Sequence, residues 1–143
     1  MEKTWGDYVI STDKGRLDLE VIPGFLGRSY WAAHRPEETI RKSIEASLCY
    51  GVYEGSRQVA FARVVTDGAT MYWLCDVYVA EEYRGKGIGK RLVEAVVADD
   101  RLAGLSGFLG TKDAHGLYEA YGFRSDPEKL MRRRPEATIP TTL

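Results

Sequence analysis

The chain has 143 residues, 44% of them hydrophobic, with 20 basic and 21 acidic residues and a formal net charge of −1. That length carries one domain with a real core and argues against a second. The charge balance argues against a dedicated nucleic-acid binder, which would be basic overall, although a local basic patch stands at 84–91.

The N-terminal MEKTWGDYVIS has no apolar signal core, and no window approaches the ~20 apolar residues of a membrane span. A soluble, cytoplasmic protein without a membrane partner is expected. YVIST (8–12) reads as a short strand and DKGRLD as a turn. LDLEVIPGFLGRSYWA is apolar at Leu17, Leu19, Val21, Ile22, Phe25 and Leu26, a helix broken or re-angled near Pro23-Gly24. PEETIRKSIEASL (36–48) reads as a second helix. Pro36 suits its first turn, and Glu37 and Glu38 lie at the favourable end of the dipole. Ile40, Ile44 and Leu48 form its buried stripe.

The period then changes. LCYGVYEG (48–55) and QVAFARVVTD (58–67) alternate and are joined by the hairpin turn EGSR. TDGAT leads to MYWLCDVYVA (71–80), so three strands in tight succession predict an antiparallel meander. Cys49 and Cys75 lie in these apolar runs and read as buried free thiols. With only His34 and His115 beside them, at no close ligand spacing, no metal is expected. The segment 88–98 is an amphipathic helix with Ile88, Leu92, Val93, Val96 and Val97 on its apolar face. GFLGT (107–111) is a short strand that can lie parallel to the one before, because a helix intervenes. HGLYEAYGF (115–123) is a short helix stopped by Gly122. KLMRR (129–133) reads as a last edge strand and PEATIPTTL as a frayed tail. The order β-α-α-β-β-β-α-β-α-β describes one α+β domain over 1–143, with 134–143 as its tail.

The stretch YRGKGIGKRL (83–92) carries the chemistry. Its glycines leave successive backbone N–H groups unobstructed, and they enter the first turn of a helix, where donors are unpaired and the dipole favours an anion. Arg84, Lys86, Lys90 and Arg91 add positive charge, so the expected ligand is a pyrophosphate. A P-loop is excluded: Gly85 to Gly89 is one residue too short, and Arg91 stands where Ser or Thr would hold magnesium. A dinucleotide fingerprint is excluded because Lys90 fills the third glycine place and the preceding strands form a meander.

The pattern that fits is R-x-x-G-x-G at Arg84, Gly87 and Gly89. The run V-x-V-x-x-x-Y-R-G-K-G-I-G-K-x-L resembles the acetyl-coenzyme A signature of the GNAT superfamily of N-acyltransferases. LYEAYGF (117–123) resembles that superfamily's second signature. The resemblance covers essentially the whole chain, most sharply 71–123. It implies a mixed, mostly antiparallel central sheet flanked by helices, with a splayed parallel strand pair at the coenzyme site.

It also implies the site. Acetyl-CoA is the co-substrate. Its pyrophosphate would sit on Arg84, Gly85, Lys86, Gly87, Ile88, Gly89 and Lys90, and its pantetheine on the backbone edge of Val77, Tyr78 and Val79. An amine would attack the thioester directly. By motif position Tyr118 is the general acid, with Tyr121 the neighbouring competitor. A phenol suits that role because its ordinary pKa of ~10 lies above a thiol's ~8.5. Asp76, a carboxylate in an apolar strand, has three readings: a proton relay through water, a contact to the acceptor amine, or a structural hydrogen bond. Many relatives carry Glu where this chain has Trp73, which leaves the base open. His115, beside Asp113, either serves the chemistry or caps its helix. The acceptor site falls at 28–36, with Tyr30 and Trp31 as apolar walls faced by Tyr72 and Asp76. The acceptor is a small-molecule or peptide amine, the protein a monomer or homodimer. Transfer of another acyl group, an O-acceptor, and a coenzyme A-binding module without turnover are the alternatives.

Overall fold

In the computed structural model, which describes residues 1–140, six strands form one sheet in sequence order. They are β1 (Glu2–Trp5), β2 (Tyr8–Ser11), β3 (Leu48–Glu54), β4 (Arg57–Thr66), β5 (Met71–Val79) and β6 (Ser106–Leu109). Neighbours from β1 to β5 pair antiparallel, and β6 pairs parallel to β5. Four helices accompany them: α1 (Val21–Gly27), α2 (Glu37–Glu45), α3 (Ile88–Val97) and α4 (His115–Glu119). The mixed sheet flanked by helices is the expected fold class.

Local side-chain bonds explain where α1 begins. The Asp13 carboxylate accepts from Gly15 N at 2.8 Å and caps a short 3₁₀ turn at Lys14–Arg16. The Asp18 carboxylate accepts from Glu20 N and Val21 N at 3.0 and 3.2 Å. These bonds hold 13–20 in turns rather than helix. Pro23 then falls in the first turn of α1, where its missing N–H costs nothing, so the helix runs through the expected break.

Adjacent residues of β3 show how the sheet is covered. Cys49 Sγ lies 3.7 Å from the Ile44 carbonyl of α2, whereas the Tyr50 hydroxyl donates to Asp99, just past α3, at 2.7 Å. Successive strand residues point to opposite faces, so α2 and α3 lie on opposite sides of the sheet. Tyr50, Val52, Val59, Phe61 and Val64 are accordingly fully buried, against Ile22, Leu26 and Ile40 from one layer and Ile88, Leu92 and Val96 from the other.

Two terminal elements differ from expectation. Glu2–Trp5 forms β1, a hairpin partner of β2 that the mostly polar EKTW does not announce. Residues 129–133 are not a strand: they have no regular structure, and Leu130 and Met131 are exposed. The physical reason lies in KLMRRR. Its two apolar residues are adjacent, so a strand would send them to opposite faces, and four basic residues surround them. Of the expected tail, 134–140 is exposed and irregular, and 141–143 lie outside the described residues.

Candidate active site

The pairing of β5 changes half-way along. Its parallel register with β6 runs from Met71↔Ser106 to Leu74↔Leu109, while its antiparallel register with β4 continues to Ala60↔Val79. Beyond Leu74, one backbone edge of β5 therefore has no strand partner. This is the expected splay, and Val77, Tyr78 and Val79 lie along it. A β-bulge marks the change: Arg63 pairs with Cys75 and Phe61 with Tyr78, so Asp76 and Val77 oppose Ala62 alone. Asp76 sits at φ 53°, the single non-glycine residue at positive φ among the described residues.

The bulge decides where Asp76 points. Arg63 and Cys75 are paired and share a face, so simple alternation would send Asp76 to the other one. Instead its buried carboxylate accepts from Arg63 Nε at 2.9 Å. It also accepts from Arg35 at 2.8 Å on the same oxygen, Oδ2, and from Trp31 Nε1 at 3.0 Å on Oδ1. Arg63 continues to the Ser47 hydroxyl at 3.0 Å. Of the three readings of Asp76, the geometry matches the structural hydrogen bond: both oxygens are engaged. Tyr72, expected beside it, is on the opposite face, its ring against Gly107, where any Cβ would overlap it.

At the end of β5 the chain enters the glycine loop. Gly85 and Gly87 adopt φ 79° and 80°, and a Cβ on either would meet open space. The first amide of α3 with a protein acceptor is Arg91 N, bonded to Gly87 O at 3.1 Å. Among the described residues, the N–H groups of 85–90 have no protein acceptor. They form a row at a helix N-terminus, exposed at 85–87 and 90 with the Ile88 side chain buried beneath. Arg84 does not join the row. Its Nε donates to Val79 O at 2.9 Å and its guanidinium lies over the Tyr78 ring, so it staples the loop to β5.

Tyr118 is half-buried on α4, edge-on to Phe123, and its phenol is pushed up to about 12, first by burial and then by Tyr30 and Asp113 nearby. Tyr30 comes from the α1–α2 connection. Its hydroxyl accepts from Lys112 N at 3.2 Å, and its ring stands at 84° to Trp31 with centroids 5.1 Å apart. Tyr30, Trp31, Asp76 and Tyr118 thus converge from three separate segments around the splay. A cavity of about 490 Å³ reaches Tyr118 from the β6 side, walled by Trp73, Phe108, Tyr118, Tyr121 and Phe123; Tyr30, Trp31 and Asp76 do not line it. His115 does not cap α4. It is exposed, and the bond at the helix entry is made by Thr111 Oγ1, which accepts from Ala114 N at 3.1 Å. The residues that sequence reasoning missed are Arg35 and Arg63. Arg63 carried a signal, a lone charge inside an apolar strand, the same signal that singled out Asp76.

The Acetyltransferase (GNAT) domain family matches residues 45–125. The chain belongs to that family. A GNAT-family crystal structure from Xanthomonas campestris pv. campestris is 42% identical, with a TM-score of 0.86 over 92% of this chain and 95% of that one. A Gibberella zeae protein with a provisional acetyltransferase name is 30% identical over 111 residues. Serotonin N-acetyltransferase 2, chloroplastic, of Oryza sativa subsp. japonica is 32% identical over 103 residues. Those matches cover 64% and 67% of this chain, which spans 63% and 52% of the two relatives' lengths. The GNAT match holds the bulge, the loop and Tyr118. It leaves out 28–36, so Tyr30, Trp31 and Arg35 lie in a part of the chain that the family pattern does not describe.

Proposed function

We propose that this GNAT domain moves an acetyl group from acetyl-CoA to a primary amine of a small molecule or peptide. One observation carries the reading: the unpaired β5 edge beyond the bulge runs from the amide row of 85–90 toward Tyr118. The donors fit the coenzyme. The open row of N–H groups suits a pyrophosphate, and glycines at 85 and 87 let it approach the backbone. The edge at Val77 to Val79, without a strand partner and with only its Val79 carbonyl taken by Arg84, suits the amides of pantetheine, which a completed ladder would reject.

Bound acetyl-CoA supplies a thioester whose carbonyl carbon an amine attacks; the C–N bond forms, the C–S bond breaks, and the amine's extra proton must leave. Tyr118 holds its phenol proton at every working pH, which makes that proton available to the departing sulfur. A phenol at about 12 is a weak acid beside a thiol of ordinary pKa ~8.5, so Tyr118 stabilises the developing thiolate by a hydrogen bond. Full transfer from Tyr118 requires the amine's proton to replace the one it gives. Asp76, with three donors on its carboxylate, positions Trp31 and Arg35 rather than accepting a proton. The reaction then needs an amine that enters uncharged.

The test is release of free thiol from acetyl-CoA across a panel of amines. Turnover with an amine, lowered in Tyr118→Phe while coenzyme affinity is kept, is the expected result. Coenzyme binding without turnover on any amine would favour a binding module instead, and preference for another acyl thioester or an alcohol would redirect the reading.

A further inference from the structure

The cluster around Asp76 holds more positive charge than it needs. Arg63 and Trp31 already occupy its two oxygens. Arg35 adds a second guanidinium to Oδ2, so two cations face one carboxylate and one positive charge is left over. Arg63 is the more enclosed of the two: its side chain is 13% exposed, that of Arg35 25%. Arg35 uses one nitrogen on Asp76, and among the described residues its Nε and remaining amino group have no hydrogen-bond acceptor. A guanidinium fixed at one nitrogen and open at the others is a preformed fork for a planar anion. Arg35 and Trp31 are the ties of the 28–36 segment to Asp76, and a tie of that kind does not need the open side of the guanidinium.

The position of that fork matters. Arg35 is bonded to the bulge residue that directly precedes the free β5 edge, and Trp31, bonded to the same carboxylate, joins it to Tyr30 and so to Tyr118. Lys112 Nζ lies over the Tyr30 ring, 5.7 Å from its centroid, and adds a second positive charge on that side; Asp113, near Tyr118, opposes it. Resting on the transfer reading above, we propose that the acceptor is an amine that carries a carboxylate close to its nitrogen, an amino-acid-type acceptor, and that Arg35 binds that carboxylate. Tyr30 and Trp31 form the apolar wall for its side chain. Arg35 is a specificity-determining residue outside the family-matched segment, so relatives that share the loop and Tyr118 need not share the preference.

Two measurements on the full chain test it. In the first, N-acetylated amino acids and their carboxamides are titrated calorimetrically without turnover. The free acids should bind at least about tenfold more tightly, and Arg35→Gln should bring the ratio near one, with Arg35→Lys between. In the second, amino acids and their carboxamides compete as acceptors of acetyl-CoA; the acid should show the lower KM, and the acid-to-amide ratio of kcat/KM should collapse in Arg35→Gln. Thermal unfolding of each variant checks that it is folded. Equal binding of acids and amides, or an equal loss for both in Arg35→Gln, overturns the proposal even if amines are acetylated. Arg35-dependent binding of the acids without acetylation of any amine supports the anchor and sinks the transfer reading.

Discussion

Asp76 occupies a backbone conformation that side chains rarely adopt, inside a strand, and its carboxylate is what holds it there. Removing one member of a buried ionic cluster leaves the others desolvated and unpaired, so Asp76→Ala should cost about 3–5 kcal/mol in denaturant unfolding. Asp76→Asn keeps the shape and should cost less. If Asp76 were the base instead, Asn would abolish turnover at unchanged stability. For Tyr118, the phenol at about 12 means that it stays protonated across the working range. Tyr118→Phe should lower kcat by about 10²–10⁴-fold with coenzyme affinity kept. In the wild type, kcat/KM should rise with pH as the amine deprotonates and show no loss from Tyr118 until pH approaches 12. Tyr53 presents the opposite case. Its hydroxyl is buried, and it is the one such side-chain atom without a partner among the described residues. Tyr53→Phe should leave stability unchanged or raise it by about 1 kcal/mol in the same unfolding experiment.

At the scale of elements, the loop into α3 and the β5–β6 pair depend on glycine for different reasons. Gly87 is left-handed and faces open space, so what it protects is access to the amides rather than packing. Gly87→Glu adds bulk and negative charge there and should abolish coenzyme binding in titration; retained affinity would displace the pyrophosphate from this loop. Gly107 is ordinary in backbone but lies under the Tyr72 ring. Gly107→Ala should cost about 1–3 kcal/mol by overpacking the one parallel strand pair. The three-strand meander, α3 and the loop are legible in the sequence, because hydrophobic period and glycine punctuation are local signals. The start of α1 and the end of the sheet are less so. Asp13 and Asp18 cap turns that the apolar pattern alone reads as helix, and KLMRRR has strand-like residues without an alternating face.

For the molecule as a whole, the sheet and the α3 layer are tied by the hydrogen bond from Tyr50 to Asp99. Arg101 first, and the Tyr50 hydroxyl with it, hold the Asp99 carboxyl down at about 2 against the opposing effect of burial. A depressed carboxylate contributes stability above its ordinary range of about 4 and loses it as pH falls to about 2. Unfolding free energy should therefore drop across that window, and Asp99→Asn should flatten the drop. Residues 83–92 and 117–123 by themselves pointed to the family, because a phosphate seat is built from consecutive backbone amides and its requirements are written in adjacent residues. Only the tertiary structure brought together the cluster around Asp76. Trp31, Arg35, Arg63 and Asp76 come from three segments, and Asp76 meets the others only because a bulge turns it against the alternation of its strand. No local period records such a convergence, since it depends on which faces the packed layers bring together.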